Sequence, residues 1–304
     1  MNIKKSLVCA ILSAAFSSFA FGWGGTGHSA VAYVAEKHLT PKAKAALDKI
    51  LDGKSLHEIA SDADKYRPEW VHDIGRKIEN PSSFRFARWG DKFNWTLPTN
   101  IEPYPHSFSA TVDCEPFPDV FDTKDGKTIG VVNCVYYVEE YSREIKSDRA
   151  KMDPKDLSVK VRLLVHWLGD MHCPGHVGFI GENVDVKGST TPVVIRGKKT
   201  TMHKFWDGGI FSMGFPGMKA DAVADMAEGY EKVKFSKKST RGTAWDWARS
   251  SAKVSHSSRI YNGTVVTKGF EFPDTYPEES VPVCLRQIRD GGYRLAALLN
   301  DIFK

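Results

Sequence analysis

Histidine and aspartate recur at helical spacing in this chain. His166 and Asp170 stand four residues apart, so on a helix both project from one face and can reach a common cation. Pro174 ends any helix there, and His176 follows on the next turn, near enough to serve a second ion. His203 and Asp207 repeat the pairing. One such pair arises easily by chance, and a lone histidine is usually a satisfied polar residue; two pairs with His176 between them favour a metal centre. Imidazole and carboxylate donors without clustered cysteines point to zinc rather than copper or an iron–sulfur cluster, and the share of histidine argues against calcium.

These side chains need elements to hold them. Asp153-Pro154 offers an N-cap and a proline at the first helical position, and Leu157, Val161, Leu164, Val165 and Leu168 continue as an apolar stripe at helical period, which predicts a regular helix carrying His166 and Asp170. Ser29 to Lys37 reads as helical, and Thr40-Pro41 opens a second helix through Leu51, ended by Gly53. Ser55-Leu56-His57-Glu58 is a capping box that starts a third helix to Tyr66. Residues 67–128, rich in Pro, Asn, Asp and aromatics, read as an irregular stretch or the rim of a site. Helical patterning returns over Ile129 to Ile145, a β-hairpin is expected within Thr191 to Met202, and further helices over 204–212, 219–233, 244–261 and 279–303. No Gly/Ser-rich break separates two apolar cores. The expectation is a mainly α fold: a single helical domain, residues 23–304, with long loops and a short β-hairpin.

Composition agrees. With 41% hydrophobic and 26% charged residues over 304 positions, the chain has the makings of a full core, which excludes a disordered or fibrous protein. The one long uncharged apolar run, Ser6 to Trp23, follows Lys4 and Lys5 and ends in Ala20-Phe21-Gly22, the pattern of a cleaved signal peptide over residues 1–22. A periplasmic or secreted protein, free of the membrane after cleavage, is therefore expected. Taking Lys4 and Lys5 from 42 basic residues leaves 40 against 37 acidic, too small an excess to argue for a polyanionic partner by itself. Cys114, Cys134, Cys173 and Cys284 would meet an oxidising compartment; four cysteines allow three pairings, of which Cys114 with Cys134 is favoured. Cleavage after Gly22 would also expose the α-amine of Trp23, able with its own carbonyl to chelate a metal beside His28.

The order of these motifs resembles the zinc-dependent single-strand nuclease and 3′-nucleotidase family, the mung bean nuclease type. Trp23-Gly24-Gly25-Thr26-Gly27-His28 is similar to its W-G-x-x-G-H, Ala60 to Tyr66 to A-x-W-A-D-x-Y, His166 to His176 to H-x-x-G-D-x-H-x-P-x-H, His203 to Asp207 to H-x-x-W-D, and Gly292 to Ala296 to G-x-R-L-A. The resemblance implies three zinc ions. Asp64, His106, His166 and Asp170 would hold the first; His176, His203 and Asp207 the second; the Trp23 amine and carbonyl, His28 and a bridging Asp170 the third. Asp64 is preferred to Asp62, which stands where the family has tryptophan, and His72 is the rival to His106. Arg67 corresponds to a basic family position that clamps phosphate, or is a solvated arginine.

Departures fall on base recognition. Ser107 and Ser109 replace the aromatic and aspartate that the family places after the loop histidine, leaving Phe108 either to stack on a base or to join the core, and the glycine-rich G-G-N survives only as Lys187-Gly188-Ser189-Thr190. The implied activity is zinc-dependent hydrolysis of 3′ P–O bonds in single-stranded DNA or RNA, giving 5′-phosphorylated products, with 3′-nucleotidase activity, by a monomer in which Asp64 helps orient or deprotonate the attacking water. The nearest enzymatic alternative is a zinc phospholipase C, whose second motif ends in glutamate where this chain has Asp207. A non-catalytic extracytoplasmic zinc-binding protein is the alternative of another class.

Overall fold

A computed structural model describes residues 23–66, 106–117, 133–180 and 191–304, together with the strands Pro81–Phe86, Asp119–Thr123 and Thr128–Ile129. The architecture is mainly α. Helices α1 (Gly25–Glu36), α2 (Pro41–Ile50), α3 (Leu56–Ile59), α4 (Asp62–Lys65), α5 (Cys134–Asp148) and α6 (Pro154–His172) form the first part. After α7 (Met202–Lys204), a π-helical turn (Phe205–Gly209) leads into α8 (Ile210–Gly214), followed by α9 (Ala220–Gly229), α10 (Ala244–Ser257) and α11 (Tyr276–Ile302). Helix α11 packs on α1, α9 and α6, while α5 and α10 lie against the other sides of α6.

Helix starts follow their caps. The Thr40 side chain accepts from the Ala43 amide, Asn133 accepts from Tyr136, and Asp153 accepts from Lys155 and Asp156, each cap contributing about 1 kcal/mol. Helix α6 changes character along its length. Its first turns bury only the apolar stripe, but every residue from Leu163 to His172 is buried. A helix covered on all sides hides whatever polar groups it carries, and each must find a partner or a cation.

Several boundaries differ from the sequence pattern: Ile129 falls in a strand and α5 begins only at Cys134, and α10 ends at Ser257 rather than Tyr261. Helix α1 begins at Gly25, four residues before the predicted start, which places His28 on its first turn. The helix predicted from the capping box breaks at Ala60–Ser61 into α3 and α4. The 67–128 stretch is not wholly irregular. Strands β1 (Pro81–Phe86), β4 (Asp119–Thr123) and β5 (Thr128–Ile129) form one antiparallel sheet, and β2 (Phe108–Thr111) lies between β3 (Pro116–Phe117) and β6 (Val177–Ile180) in another. The predicted hairpin is present as β7 (Pro192–Ile195) and β8 (Lys198–Thr201), and β11 (Phe270–Phe272) adds to it in parallel; β9 (Ile260–Tyr261) and β10 (Thr264–Val265) are a two-stranded hairpin. That third strand was invisible locally because its partner lies far along the chain.

No disulfide forms among the described residues, so the expected Cys114–Cys134 bridge is not made; all four thiols are buried. Cys114 sits in the left-handed turn between β2 and β3, at φ 63°, and Cys134 opens α5, each placed by the backbone of its own element. Among the described residues no helix is long and apolar enough to cross a membrane. The expected signal segment, 1–22, lies outside them.

Candidate metal centre

Five pieces of chain converge at the end of α6. His166 and Asp170 face inward from its last turns, His28 comes from α1, and Asp64 from α4. Strands β2 and β6 run parallel with Phe108 opposite Val177, a register that sets His106 and His176, just before each strand, side by side. His203 and Asp207 come from α7 and the π-helical turn. The Gly24 amide donates to the Asp207 carbonyl at 2.6 Å, which fastens the entrance to α1, and with it Trp23, to the segment carrying Asp207. Gly169 lets α1 approach: a Cβ there would lie 2.6 Å from His28 Nδ1.

The break after α3 has a cause in this cluster. The Ala60 carbonyl accepts from His166 Nδ1 at 2.9 Å, fixing which ring nitrogen carries hydrogen because a carbonyl can only accept. The same pattern recurs for His203, whose Nδ1 donates to the Gly175 carbonyl at 3.0 Å, and for His176, whose Nδ1 donates to the His106 carbonyl. Each ring therefore turns Nε2, a lone pair in the neutral form, toward carboxylates. His166 Nε2 is 3.3 Å from Asp170 Oδ2 and 3.5 Å from Asp64 Oδ1; His176 Nε2 is 3.1 Å from Asp207 Oδ1; His203 Nε2 is 3.0 Å from Asp207 Oδ2. Acceptors that face one another repel unless a proton or a metal cation lies between them, and a metal-ligating imidazole commonly donates its other ring N–H to a backbone carbonyl in this way.

Asp170 is divided between two neighbourhoods. Its Oδ2 meets His106 Nδ1 at 3.0 Å as well as His166, while its Oδ1 lies 3.3 Å from His28 Nε2 and 3.6 Å from His176 Nδ1. The close approaches are not all bonds. His28 Nδ1 and Nε2, Asp64 Oδ1, Asp170 Oδ1 and Asp207 Oδ2 are buried without a hydrogen-bond partner, although ion-pair distances connect several of them. Ligands about 2.0–2.1 Å from a tetrahedral zinc stand about 3.3 Å from one another, the scale of these separations. Three groups can hold an ion: His28, His166 and Asp170; Asp64, His106 and His166; and Cys173, His176 and Asp207. The orphaned atoms and donor types fit a bound metal.

Charge follows the same division. Burial opposes a proton on His166, yet Asp170 and Asp64 raise its pKa well above the ordinary value, and burial is likewise overcome at His176, which Asp170 and Asp207 push up to about 9. Burial would raise Asp170, but His166 and His176 hold it well below the usual carboxylate range; Asp207 is lowered against burial by His176 and His203. His28 is lowered by burial and by neighbouring His166, and burial also lowers His106. Exposure is one-sided: Asp170 and His166 are 0% exposed, whereas Asp64, His106 and His203 retain 17%, 10% and 26% and form the side open to solvent.

Eight of the nine residues singled out as ligands fall into one neighbourhood, and Trp23, buried, is joined to it through the bond from Gly24 to Asp207. Asp62, the neighbour of Asp64, is instead paired with Arg162. Phe108 does not offer a face to a base: strand alternation turns it into the core, 1% exposed, while Ser107 beside it is exposed. Arg67, His72 and Lys187-Gly188-Ser189-Thr190 lie outside the described residues. Sequence reasoning gave the Ala60 carbonyl no role, since nothing in its type marks it, and placed Cys173 only among the four cysteines that could pair; its Sγ lies 3.7 Å from Asp207 Oδ1.

Fold and site define a mainly helical protein built around a buried histidine–aspartate cluster. The sequence model of the S1/P1 nuclease family matches residues 23–304, and the chain belongs to that family. It is 23% identical to Endonuclease 2 of Arabidopsis thaliana over 298 residues, covering 93% of this chain and 91% of the relative. It is 22% identical to Nuclease S1 of Aspergillus oryzae (95% and 94% covered) and 25% identical to Nuclease P1 of Penicillium citrinum (92% and 97% covered). Among solved structures, alpha-toxin of Clostridium perfringens aligns with a TM-score of 0.40 at 14% identity, over 93% of this chain and 65% of the toxin.

Proposed function

We propose that residues 23–304 act as one secreted or periplasmic catalytic domain, a monomer that uses three zinc ions to hydrolyse 3′ P–O bonds of single-stranded DNA or RNA, yielding 5′-phosphorylated products and acting on 3′-nucleotides. The observation that carries this reading is the set of imidazoles anchored through Nδ1 to backbone carbonyls, with Nε2 facing the buried carboxylates. Asp64, His106, His166 and Asp170 would hold one ion, His176, His203 and Asp207 another, and His28 with Asp170 and the Trp23 amine and carbonyl the third. Zinc so placed supplies Lewis acidity, polarising the phosphoryl group and acidifying water.

The chain's own groups divide the remaining tasks. Asp170, fully buried with its two oxygens turned to different histidines, fixes the spacing of the ligand groups. Asp64, partly open to solvent, orients water or takes its proton on the approach side. Exposed Ser107 offers a hydroxyl at that entrance, and Arg67 would clamp phosphate. A flexible single strand can present one unstacked nucleotide to such a concave site. The open side favours catalysis over storage, and Asp207, rather than glutamate, favours the nuclease over a zinc phospholipase C.

The test assays purified protein beginning at Trp23 against single-stranded DNA, duplex DNA, RNA, 3′-AMP and phosphatidylcholine, with and without chelator. Chelator-sensitive cleavage of single strands and of 3′-AMP is expected. Release of choline phosphate with no attack on nucleic acid overturns the assignment, and a zinc-loaded protein inert toward every ester at any pH establishes the non-catalytic alternative.

A further inference from the structure

Cys173 occupies the first residue beyond α6, between Asp170 and His176. Its amide donates to the Asp170 carbonyl at 2.9 Å and its carbonyl accepts from the His176 amide at 3.0 Å, so the backbone of this one residue ties two proposed ligands together. Its side chain is 0% exposed. The thiol does not turn into an apolar pocket. Sγ lies 3.7 Å from Asp207 Oδ1, the oxygen that stands 3.1 Å from His176 Nε2, and the three donor atoms lie within 4.8 Å of one another.

Bond lengths of about 2.3 Å for sulfur and about 2.0 Å for oxygen and nitrogen place sulfur and oxygen about 3.5 Å apart around a tetrahedral zinc, and nitrogen and oxygen about 3.3 Å apart. The observed separations lie near both values. A second observation points to an ion here: Asp207 is 1% exposed, and its Oδ2 has no hydrogen-bond partner.

We propose that Cys173 is a sulfur ligand to the ion held by His176, His203 and Asp207, a role that rests on the metal-centre reading given above. On binding, the S–H bond breaks, its proton passes to solvent buffer, and the sulfur lone pair goes to the cation; no oxidant or reductant enters. In the metal-free protein the same thiol donates to Asp207. A soft ligand in a set otherwise of nitrogen and oxygen tilts this position toward zinc and cadmium and away from magnesium.

Cobalt(II) substitution of the protein beginning at Trp23 reads sulfur ligation directly, independently of turnover. A near-ultraviolet sulfur-to-cobalt charge-transfer absorption is expected in the unsubstituted protein. It should be lost in Cys173→Ser and retained in Cys284→Ser, which removes the other buried thiol of this region. Cobalt that binds with its visible ligand-field absorption but without the charge-transfer absorption in the unsubstituted protein overturns the sulfur ligand and leaves the metal centre standing. Failure to take up any cobalt overturns both. Because the unsubstituted protein alone decides between these outcomes, a poorly folding serine variant does not blur the result.

Discussion

His166 and His172 sit six positions apart on the same helix, and both are wholly buried, yet their surroundings are opposite. The His166 ring faces the Asp170 and Asp64 carboxylates, which push its pKa well above the ordinary value despite burial. The His172 ring donates from Nδ1 to the Leu168 carbonyl at 2.7 Å and accepts at Nε2 from Arg294 at 2.7 Å, while Gln287 donates to the His172 carbonyl. Burial, joined by the Arg294 charge, drives His172 down to about 3. Depth is therefore no sign of a ligand. What separates the two is the second ring nitrogen: at His172 it meets a permanent cation already built into the chain, and at His166 it meets two carboxylates.

The strongest way to break this contrast is Asp170→Asn, which keeps size while removing the charge toward which both sides of the centre converge. Loss of at least one zinc per chain and a fall in single-strand cleavage on the order of 10³-fold are expected, several kcal/mol of metal-assisted stabilisation. Metal analysis beside turnover checks it; full zinc with normal turnover removes Asp170 from the site.

A smaller effect, but one with opposite signs on the two sides, is stability against pH in chelated protein. His172 has a folded pKa of about 3 against an ordinary 6.5, so the unfolded chain holds a proton that the folded one excludes. Stability is lost as pH falls through that window, at about 1.4 kcal/mol per unit. His176, raised to about 9, contributes stability that is complete below 6.5 and lost as pH rises toward 9. Denaturation curves should peak where the two windows meet, about pH 6.5, and zinc should flatten the alkaline limb by taking the proton's place. An alkaline limb indifferent to zinc would count against His176 as a ligand.

The smallest expected change comes from a matched pair of helical glycines. An alanine Cβ at Gly169 would lie 2.6 Å from His28 Nδ1, whereas at Gly291 its nearest contact, His172 Cγ, is at 3.2 Å. Both substitutions gain about 1 kcal/mol of helix propensity. Gly169→Ala should nonetheless displace His28 and lower zinc content, and Gly291→Ala should leave zinc and melting temperature nearly unchanged. Equal behaviour of the two would show that His28 does not depend on that close approach.

Most of the proposed ligand set is legible because its chemistry is local: His166 with Asp170, and His203 with Asp207, share one helix face or turn by spacing alone. Asp64 is harder, since the capping box at Ser55 predicts one continuous helix. The break that positions it is made by a hydrogen bond from His166, more than a hundred residues away. Phe108 misleads for a related reason, because an aromatic beside a proposed ligand looks like a stacking platform until pairing with β6 decides which face of the strand is buried. Cys173 lies inside the His166 to His176 segment, so its nearness to the cluster is legible, but only the fold brings it to Asp207.

The stretch from Phe205 to Gly209 holds a final consequence. There the Ile210 amide reaches back five residues to the Phe205 carbonyl, so the turn accommodates one residue more than the α-helical segments it joins. Each helical residue advances the face by about 100°. Striking out one position here would let the rod close into uninterrupted α-helix, and the swing would part His203 from Asp207 or tear Ile210 and Phe211 from their buried seats. Chemistry is thus encoded at this point by chain length, as a surplus residue, and a shortening that changed no ligand's identity would still disarm the centre.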